Sequence, residues 1–360
     1  MKKNLYRILL FSLLGIFLSC GEQVDPLSQN YYLKSGEICY TPGGNWFERG
    51  SVKTDADKNT FQVLSEDVGK DKSHIYYKGY KQPQVDYHSF SIAHGIFKDK
   101  NHVYHDNSYD IAYNSPHSHE WSIIPLADPQ TYVKLTKPYY EFAKDKNRYF
   151  YNNEPLEVDY QSFKIINKRF SKDKNSVYIH DGNTCTPTKF TATTVDSLTD
   201  SYILLDNKTL LYYQNSLFDQ HFDIIKNIRV LDNTVVCIND AVIVDGQPFR
   251  TKDADATSFE ILFLSSTFFI AKDKNQVYYQ EEIIKDADPA TYQHMHLSIG
   301  KDKNHVYNGT EIIQVPDVAT FRRTSKSDKN YDFEDNKGNK FDYIFRDGKV
   351  KLKNQSGDFL

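Results

Sequence analysis

The sequence predicts an all-β protein built from a repeated unit of about 28 residues. The composition favours strands, because 27 Tyr and 23 Phe stand against only 2 Trp and 2 Met, and aromatic residues suit a half-buried pleated surface. A polar tetrapeptide followed by an aliphatic residue and tyrosine also recurs along most of the chain. Self-similarity at a period of roughly 20 to 50 residues is typical of repeat architectures.

The tetrapeptide Lys-Asp-Lys-Asn, followed by Val-Tyr or a close variant, is the clearest part of the repeat. Its copies begin at Lys70, Lys98, Lys144, Lys172, Lys272 and Lys301. Asp71 and Asp99 are 28 residues apart, which sets the period. Ser327–Tyr331 is interpreted as a final, altered copy, and Asp206 and Asp232 as the starts of two decayed copies.

A second element, Asp-x-x-Ser/Thr-aromatic, accompanies these copies. It begins at Asp57, Asp86, Asp128, Asp159, Asp255, Asp288 and Asp317. Asp is a favoured cap for a turn or a helical start, because its carboxylate accepts backbone N–H groups. We expect the Asp to cap a short turn, with the aromatic side chain buried beneath it.

Asp-Lys-Asn suits the tip of a β-hairpin, since Asp and Asn bond their own backbone and Asn tolerates positive φ. The flanking β-branched and aromatic residues predict strands, such as Val177–Ile179 after the tip. The unit is therefore predicted to hold three strands, or two strands and a helical turn. Such a unit must stack on its neighbours. We expect a solenoid-like array, with a β-propeller of four-stranded blades as the alternative.

The repeats divide the chain into regions. We assign residues 55–331 to the repeat domain, with an insertion over 105–127, where one step of the repeat lengthens. Residues 185–250 depart from the pattern and are interpreted as degenerate repeats. Residues 332–360 are polar with one aromatic patch and are expected to form a C-terminal cap.

The repeated motif resembles that of the DKNYY repeat proteins of bacteria. The resemblance is clearest in Lys144–Tyr151 and Lys272–Tyr279, and it extends over residues 55–331. It implies a repeat fold but no established biochemical activity. The function therefore has to be argued from the residues themselves.

The N-terminus carries the pattern of an exported protein. Basic residues, Lys2 and Arg7 among them, precede an apolar run from Ile8 to Leu18. This run is shorter than the roughly 20 apolar residues of a stable transmembrane helix, but it matches the apolar core of a signal peptide. We expect a signal peptide over residues 1–19.

The apolar run ends at Leu18-Ser19-Cys20-Gly21, which resembles the bacterial lipobox. In that motif the cysteine is acylated and the chain is cut just before it, and more than one acyl chain gives lasting membrane attachment. We therefore expect a lipid on Cys20, a lipid-attached segment over residues 20–54, and a location in the bacterial cell envelope. Gly21 favours the outer membrane or the cell surface as the destination.

Charge and cysteine content limit the classes of partner and metal site that we expect. The formal net charge is −4, so nucleic acid is excluded as an expected partner. Beyond Cys20 the chain has Cys39, Cys185 and Cys237, whose spacing matches no metal motif. The sequence implies no cofactor, and it contains no Gly-x-Ser-x-Gly, P-loop, Rossmann fingerprint or His-Glu-x-x-His motif.

The insertion holds the densest group of potential metal ligands. They are His105, His117, His119 and Glu120. Imidazole and carboxylate groups together suit Zn²⁺. A metal-dependent or other hydrolase with its site in residues 105–127 is therefore one hypothesis. The alternative interpretation is a polar surface insertion that happens to contain histidines.

Two further patterns have structural alternatives. Asp55, Asp57, Asn59 and Glu66 match part of a calcium loop, but Thr60 replaces the required glycine, and turn capping explains the same residues.

The tyrosines that follow the tips would form a column along a stacked array and could bind sugar rings or peptides. They are Tyr76, Tyr104, Tyr178, Tyr278 and Tyr307. The alternative is that they pack between repeats. We favour a non-catalytic envelope lipoprotein whose repeats form a scaffold for a protein, peptide or glycan.

Overall fold

A computed structural model describes residues 24–44, 50–106, 119–139, 141–182, 184–251, 253–324, 331–346 and 349–360. The chain divides into two compact units, Met1–Tyr160 and Gln161–Leu360. In the described ranges no helix is long and apolar enough to cross a membrane. The predicted signal peptide, Cys20 and His117 lie outside these ranges.

Within the described ranges the chain forms ten four-stranded antiparallel sheets, each made of four strands consecutive in sequence. The first unit holds sheet 1 (β1 Val24–Pro26, β2 Tyr31–Lys34, β3 Glu37–Tyr40, β4 Val52–Lys53, with a 3₁₀ turn at Pro42–Gly44), sheet 2 (β5 Gln62–Val63, β6 Val68–Lys70, β7 Ile75–Tyr77, β8 Tyr80–Lys81), sheet 3 (β9 Ser91–Ala93, β10 Ile96–Lys98, β11 Val103–Asp106, β12 Trp121–Ile123) and sheet 4 (β13 Val133–Lys134, β14 Phe142–Lys144, β15 Tyr149–Tyr151, β16 Glu154–Pro155).

The second unit holds the other six sheets. They are sheet 5 (β17 Lys164–Ile165, β18 Phe170–Lys172, β19 Val177–Asp181, β20 Thr184–Pro187), sheet 6 (β21 Val195–Ser197, β22 Tyr202–Leu205, β23 Thr209–Tyr213, β24 Leu217–His221), sheet 7 (β25 Ile228–Val230, β26 Val235–Ile238, β27 Ala241–Val244, β28 Gln247–Pro248), sheet 8 (β29 Glu260–Leu264, β30 Phe269–Lys272, β31 Val277–Tyr279, β32 Glu282–Ile283), sheet 9 (β33 Gln293–His296, β34 Ile299–Lys301, β35 Val306–Asn308, β36 Glu311–Ile313) and sheet 10 (β37 Arg322–Arg323, β38 Phe333–Glu334, β39 Lys340–Arg346, β40 Lys349–Asn354).

The all-β class and the serial repetition are confirmed. The prediction of three strands per unit is wrong, because each sheet has four. The strand that the sequence pattern did not indicate is the first, which has only two residues in β5 and in β17. The Lys-Asp-Lys-Asn turn joins the second and third strands. We call this turn the DKN turn, and we call the end of the sheet at which it lies the DKN end. The turns that join the first to the second strand and the third to the fourth lie at the opposite end.

Sheets pack face to face with their sequence neighbours inside each unit. In sheet 7, Val236 and Ile243 pack with residues of sheet 6, whereas Val235 and Val242 pack with residues of sheet 8. The alternation follows from the two-residue period of a strand, which turns successive side chains to opposite faces. Sheet 7 therefore has two apolar faces, and its central strands β26 and β27 read as continuous apolar runs.

The structure corrects the register of the degenerate region. Asp206 does lie in the turn between the second and third strands of sheet 6, as the sequence predicted. Asp232 instead lies at the opposite end of sheet 7, between β25 and β26. The DKN position of that sheet is the two-residue turn at Asn239, which is too short to carry the motif.

Both ends of the repeat domain also extend beyond the predicted bounds. The predicted lipid-attached segment before residue 55 contains strands β1 to β4, which form sheet 1. The predicted cap belongs to sheet 10, where Asp335 occupies the DKN turn between β38 and β39. The interpretation of Ser327–Tyr331 as the last copy is therefore wrong in register, although residues 327–330 themselves lie outside the described ranges.

Candidate functional site

The recurring Asp of the DKN turn is the most chemically distinctive group of the fold. It is buried in seven sheets, at Asp71, Asp99, Asp145, Asp173, Asp273, Asp302 and Asp335. A buried carboxylate is strongly unfavourable unless it is fully hydrogen-bonded. Its surroundings therefore show what the motif does.

Sheet 8 shows the full set of contacts. Asp273 Oδ1 accepts the backbone N–H groups of Asn275 and Gln276, each within 2.8 Å. Its Oδ2 accepts the Tyr278 hydroxyl at 2.7 Å and the backbone N–H of Asp255 at 2.7 Å. Four donors thus surround one carboxylate, and each comes from a residue that the motif fixes in sequence.

The contact between the DKN Asp and a Tyr hydroxyl recurs in sheets 2, 3, 5 and 9. The Tyr hydroxyl lies 2.5 to 2.9 Å from the carboxylate in the pairs Asp71–Tyr76, Asp99–Tyr104, Asp173–Tyr178 and Asp302–Tyr307. Burial opposes ionisation of Asp71, but these hydrogen bonds outweigh it and hold its pKa at about 2. The carboxylate is therefore charged and fully engaged at neutral pH.

The two lysines of the motif have separate roles. The second forms an ion pair with the Asp that opens the Asp-x-x-Ser/Thr turn, as in Lys100–Asp86 and Lys303–Asp288, at 2.7 and 2.8 Å. The first reaches backbone carbonyls of the turn that precedes the next sheet. Lys272 Nζ, for example, donates to Pro289 O at 3.2 Å. The second lysine thus makes a contact within its own repeat, and the first contacts the turn that leads to the next sheet.

The Asp-x-x-Ser/Thr-aromatic element caps a turn, as predicted, and its aromatic ring packs on the second strand. Phe259 and Phe321 are fully buried. At Gly69 and Gly300 a Cβ would come within 2.2 Å of the Phe61 ring and 2.1 Å of the Tyr292 hydroxyl oxygen. A small residue stands two positions before the DKN Asp in five of the seven sheets, the exceptions being Phe97 and Phe333. The sequence analysis missed this feature.

The predicted tyrosine binding surface is wrong. Each of its members is at most 5% exposed, and each donates its hydroxyl to a buried carboxylate. They are Tyr76, Tyr104, Tyr178, Tyr278 and Tyr307. They point into the protein because the residue five positions after the Asp lies next to that Asp across the hairpin. Burial raises the pKa of Tyr76, Tyr104, Tyr278 and Tyr307 far above the ordinary value for tyrosine.

The predicted metal site is only partly within the described residues. His105 lies on β11, opposite Ser122 of β12. His119 stacks on the Tyr80 ring at 4.4 Å, and burial lowers its pKa. Glu120 is half-buried next to it. No group of three His, Cys, Asp or Glu side chains that could hold a metal occurs in the described part of the chain. The site with His117 stays a prediction.

The calcium-loop residues are engaged in other contacts. Asp57 Oδ1 caps the Asn59 N–H at 3.0 Å, and its Oδ2 pairs with Lys72 at 2.7 Å. Asp55 pairs with Lys81 at 2.6 Å. These contacts agree with the turn-capping interpretation, because an ammonium group stands where a cation would have to bind.

The cysteines lie in apolar surroundings. Cys39 and Cys237 are buried, in sheets 1 and 7 respectively. Burial raises the pKa of Cys185 and of Cys237 to about 11. Thiols with raised pKa values are poor nucleophiles at neutral pH.

Comparison with known proteins identifies a family but no activity. No curated protein and no solved structure matches the chain. The model of the DKNYY family matches residues 2–108 and 155–311. These ranges include the DKN turns of five of the six full Lys-Asp-Lys copies, together with the degenerate sheets 6 and 7. The chain belongs to the DKNYY family.

Proposed function

We propose that this chain is a non-catalytic lipoprotein of the bacterial cell envelope, held to a membrane by a lipid on Cys20. Its serial sheets would form a scaffold that binds a protein, peptide or glycan. The observation that carries the proposal is the use of the motif itself. The recurring Asp and Tyr side chains bond to one another inside the sheets, and the lysines bond to the neighbouring turns. Repetition therefore multiplies a folding unit and not a reactive site.

The basic segment, the short apolar run and the lipobox-like Leu18–Gly21 support the membrane anchor. The test is metabolic labelling with an alkyne-tagged fatty acid in a bacterial host, followed by fractionation. The wild-type chain should take up the label and sediment with membranes. The Cys20→Ser variant should do neither. Equal labelling of both chains would contradict the anchor.

The scaffold role is tested by cross-linking from defined surface positions. A photoreactive benzoylphenylalanine replaces Glu282 on β32 of sheet 8 or Lys303 at the DKN end of sheet 9, both of which are exposed. We expect the full chain to form a discrete adduct in intact cells that depends on the position of the probe. Absence of adducts from both positions and from further exposed positions in sheets 6 to 9 would contradict a scaffold role.

A further inference from the structure

The second unit contains a groove of about 700 Å³ at the opposite end of sheets 6, 7 and 8. Turns from all three sheets line it, including Gln214, Asp245, Gln280 and the segment Leu264–Phe268. We propose that this groove binds a neutral oligosaccharide. The inference deepens the proposed scaffold function and rests on it.

The lining is rich in uncharged hydrogen-bonding groups. Seven of its fifteen residues are Gln, Ser or Thr. Gln214, Gln247 and Gln280 are all exposed, and their side-chain amides can donate and accept at once. A sugar hydroxyl also does both. This pairing of chemistry favours a polyhydroxylated ligand over an apolar one.

One contact leaves acceptor capacity in the groove. The Tyr212 hydroxyl oxygen lies 2.6 Å from Gln214 Oε1 and 2.8 Å from Asp245 Oδ1. A phenol has one proton, so it can donate to only one of these oxygens at a time. The other acceptor is then suited to a donor from a ligand, such as a sugar hydroxyl.

The charged residues of the groove largely compensate one another. Arg250 Nε lies 2.9 Å from Glu281 Oε2, and the arginine side chain is 87% exposed. The pair presents guanidinium donors and a carboxylate acceptor side by side. With Asp245 the lining carries one net negative charge, which disfavours an anionic ligand.

The groove also has an apolar wall. Leu264 is 40% exposed. Phe268 is half-buried, and its ring lies 5.2 Å from that of Tyr279. An aromatic and aliphatic wall beside amide groups suits the apolar face of a sugar ring, which combines C–H groups with hydroxyls at its rim.

An extended peptide fits this groove less well. Strand addition needs a free row of backbone donors and acceptors on an edge strand. Two edge strands line the groove. The first is β28, Gln247–Pro248, in which proline has no N–H to offer, and the second is β29, which contributes only its last residue, Leu264. Recognition therefore has to come from side chains.

The test is isothermal titration of the purified full chain with maltotetraose, mannotetraose and tetra-N-acetylchitotetraose. We expect at least one to bind with a Kd below about 1 mM. Arg250→Ala and Gln280→Ala should each weaken that binding about tenfold, the effect of losing one or two good hydrogen bonds. Lys303→Ala at the DKN end is the matched control and should leave the Kd unchanged. Circular dichroism verifies that all variants fold.

Failure of all three sugars to bind, an unchanged Kd in the groove variants, or tighter binding of an acetylated and amidated tetraserine peptide would overturn the inference. The cross-linking assay separates this failure from failure of the scaffold role. If adducts persist in the Arg250→Ala and Gln280→Ala variants, the groove assignment is wrong and the scaffold stands. If the wild-type chain forms no adduct anywhere, the scaffold role itself is wrong.

Discussion

Sheets 6 and 7 and sheets 8 and 9 are neighbours in one unit, yet they are stabilised differently. Sheets 8 and 9 centre on the buried carboxylates Asp273 and Asp302. In sheet 6 the corresponding Asp206 is exposed and accepts only from Thr194. In sheet 7 the position belongs to Asn239, which bonds to the backbone of Lys226 and Ile224.

The degenerate sheets have more aliphatic strands instead. The four residues of β22 and the four of β26 are all buried, whereas the DKN sheets interrupt the second strand with a half-buried lysine. Each fully buried aliphatic side chain contributes about 1.5 to 3 kcal/mol. The DKN motif therefore stabilises its sheet, and it is dispensable where the apolar strands are continuous.

The largest effect is expected from the apolar sheets. Ile243→Ala removes a fully buried side chain from the core between sheets 6 and 7 and should lower the free energy of unfolding by about 3 kcal/mol. Hydrogen exchange measured by mass spectrometry should show the loss of protection in sheets 6 and 7 before sheets 8 and 9. Uniform loss across all four sheets would show that the two regions are not stabilised separately.

Acid should destabilise sheets 8 and 9 before it destabilises sheets 6 and 7. Burial opposes ionisation of Asp302, but hydrogen bonds from the backbone of Asp288, Asn304 and His305 outweigh it and lower its pKa. A carboxylate with a depressed pKa in the folded state stabilises the protein above its unfolded pKa, near 4, and loses that contribution as pH falls through the folded pKa.

As pH falls below about 4, exchange protection factors should therefore fall in sheet 9 before sheet 7. These factors correct for the intrinsic effect of pH on exchange. Earlier loss in sheet 7 would contradict the assignment of acid sensitivity to the DKN carboxylates.

Removal of the Tyr278 hydroxyl tests how much its hydrogen bond to Asp273 stabilises sheet 8. Tyr278→Phe removes the donor 2.7 Å from Asp273 and should destabilise by about 1 kcal/mol, since three backbone donors remain. Sheet 4 agrees with this modest effect, because Phe150 already occupies the equivalent position beside Asp145.

Tyr292→Phe is the matched control. The Tyr292 hydroxyl is buried without a hydrogen-bond partner among the described residues. Its loss should therefore leave the urea midpoint unchanged or raise it. Equal destabilisation by both variants would mean that the contact with Asp273 adds nothing beyond ring packing.

The smallest effect is expected for the exposed ion pair. Lys274 Nζ contacts Asp255, and the lysine side chain is 63% exposed. Lys274→Ala should lower the urea midpoint only slightly, and high salt should remove the difference. Lys208→Ala in the exposed turn of sheet 6 is the control for loss of a surface lysine. A large difference between the two variants that persists in high salt would require a role for Lys274 beyond the ion pair.

The sequence predicted the class, the hairpin tips and the capped turns because each depends on local chemistry. Asp-Lys-Asn specifies a turn wherever it stands. The orientation of Tyr278 was missed because it depends on the partner across the hairpin. The first strands were missed because two residues such as Lys164–Ile165 carry no periodicity. The groove brings together turns of three sheets, so no single segment of the sequence predicts it.

The most direct test of the structural role of the motif compares Asp273→Asn with Asp206→Asn in urea unfolding. At Asp273 the new amide group would face the Asp255 N–H and the Tyr278 hydroxyl, so donors would oppose donors in a buried site. At Asp206 the asparagine oxygen can still accept from Thr194. We predict a loss of about 3 kcal/mol for Asp273→Asn and under 1 kcal/mol for Asp206→Asn. Similar small losses in the free energy of unfolding for both variants would contradict the structural role of the motif, because the DKN carboxylate would then not stabilise its sheet.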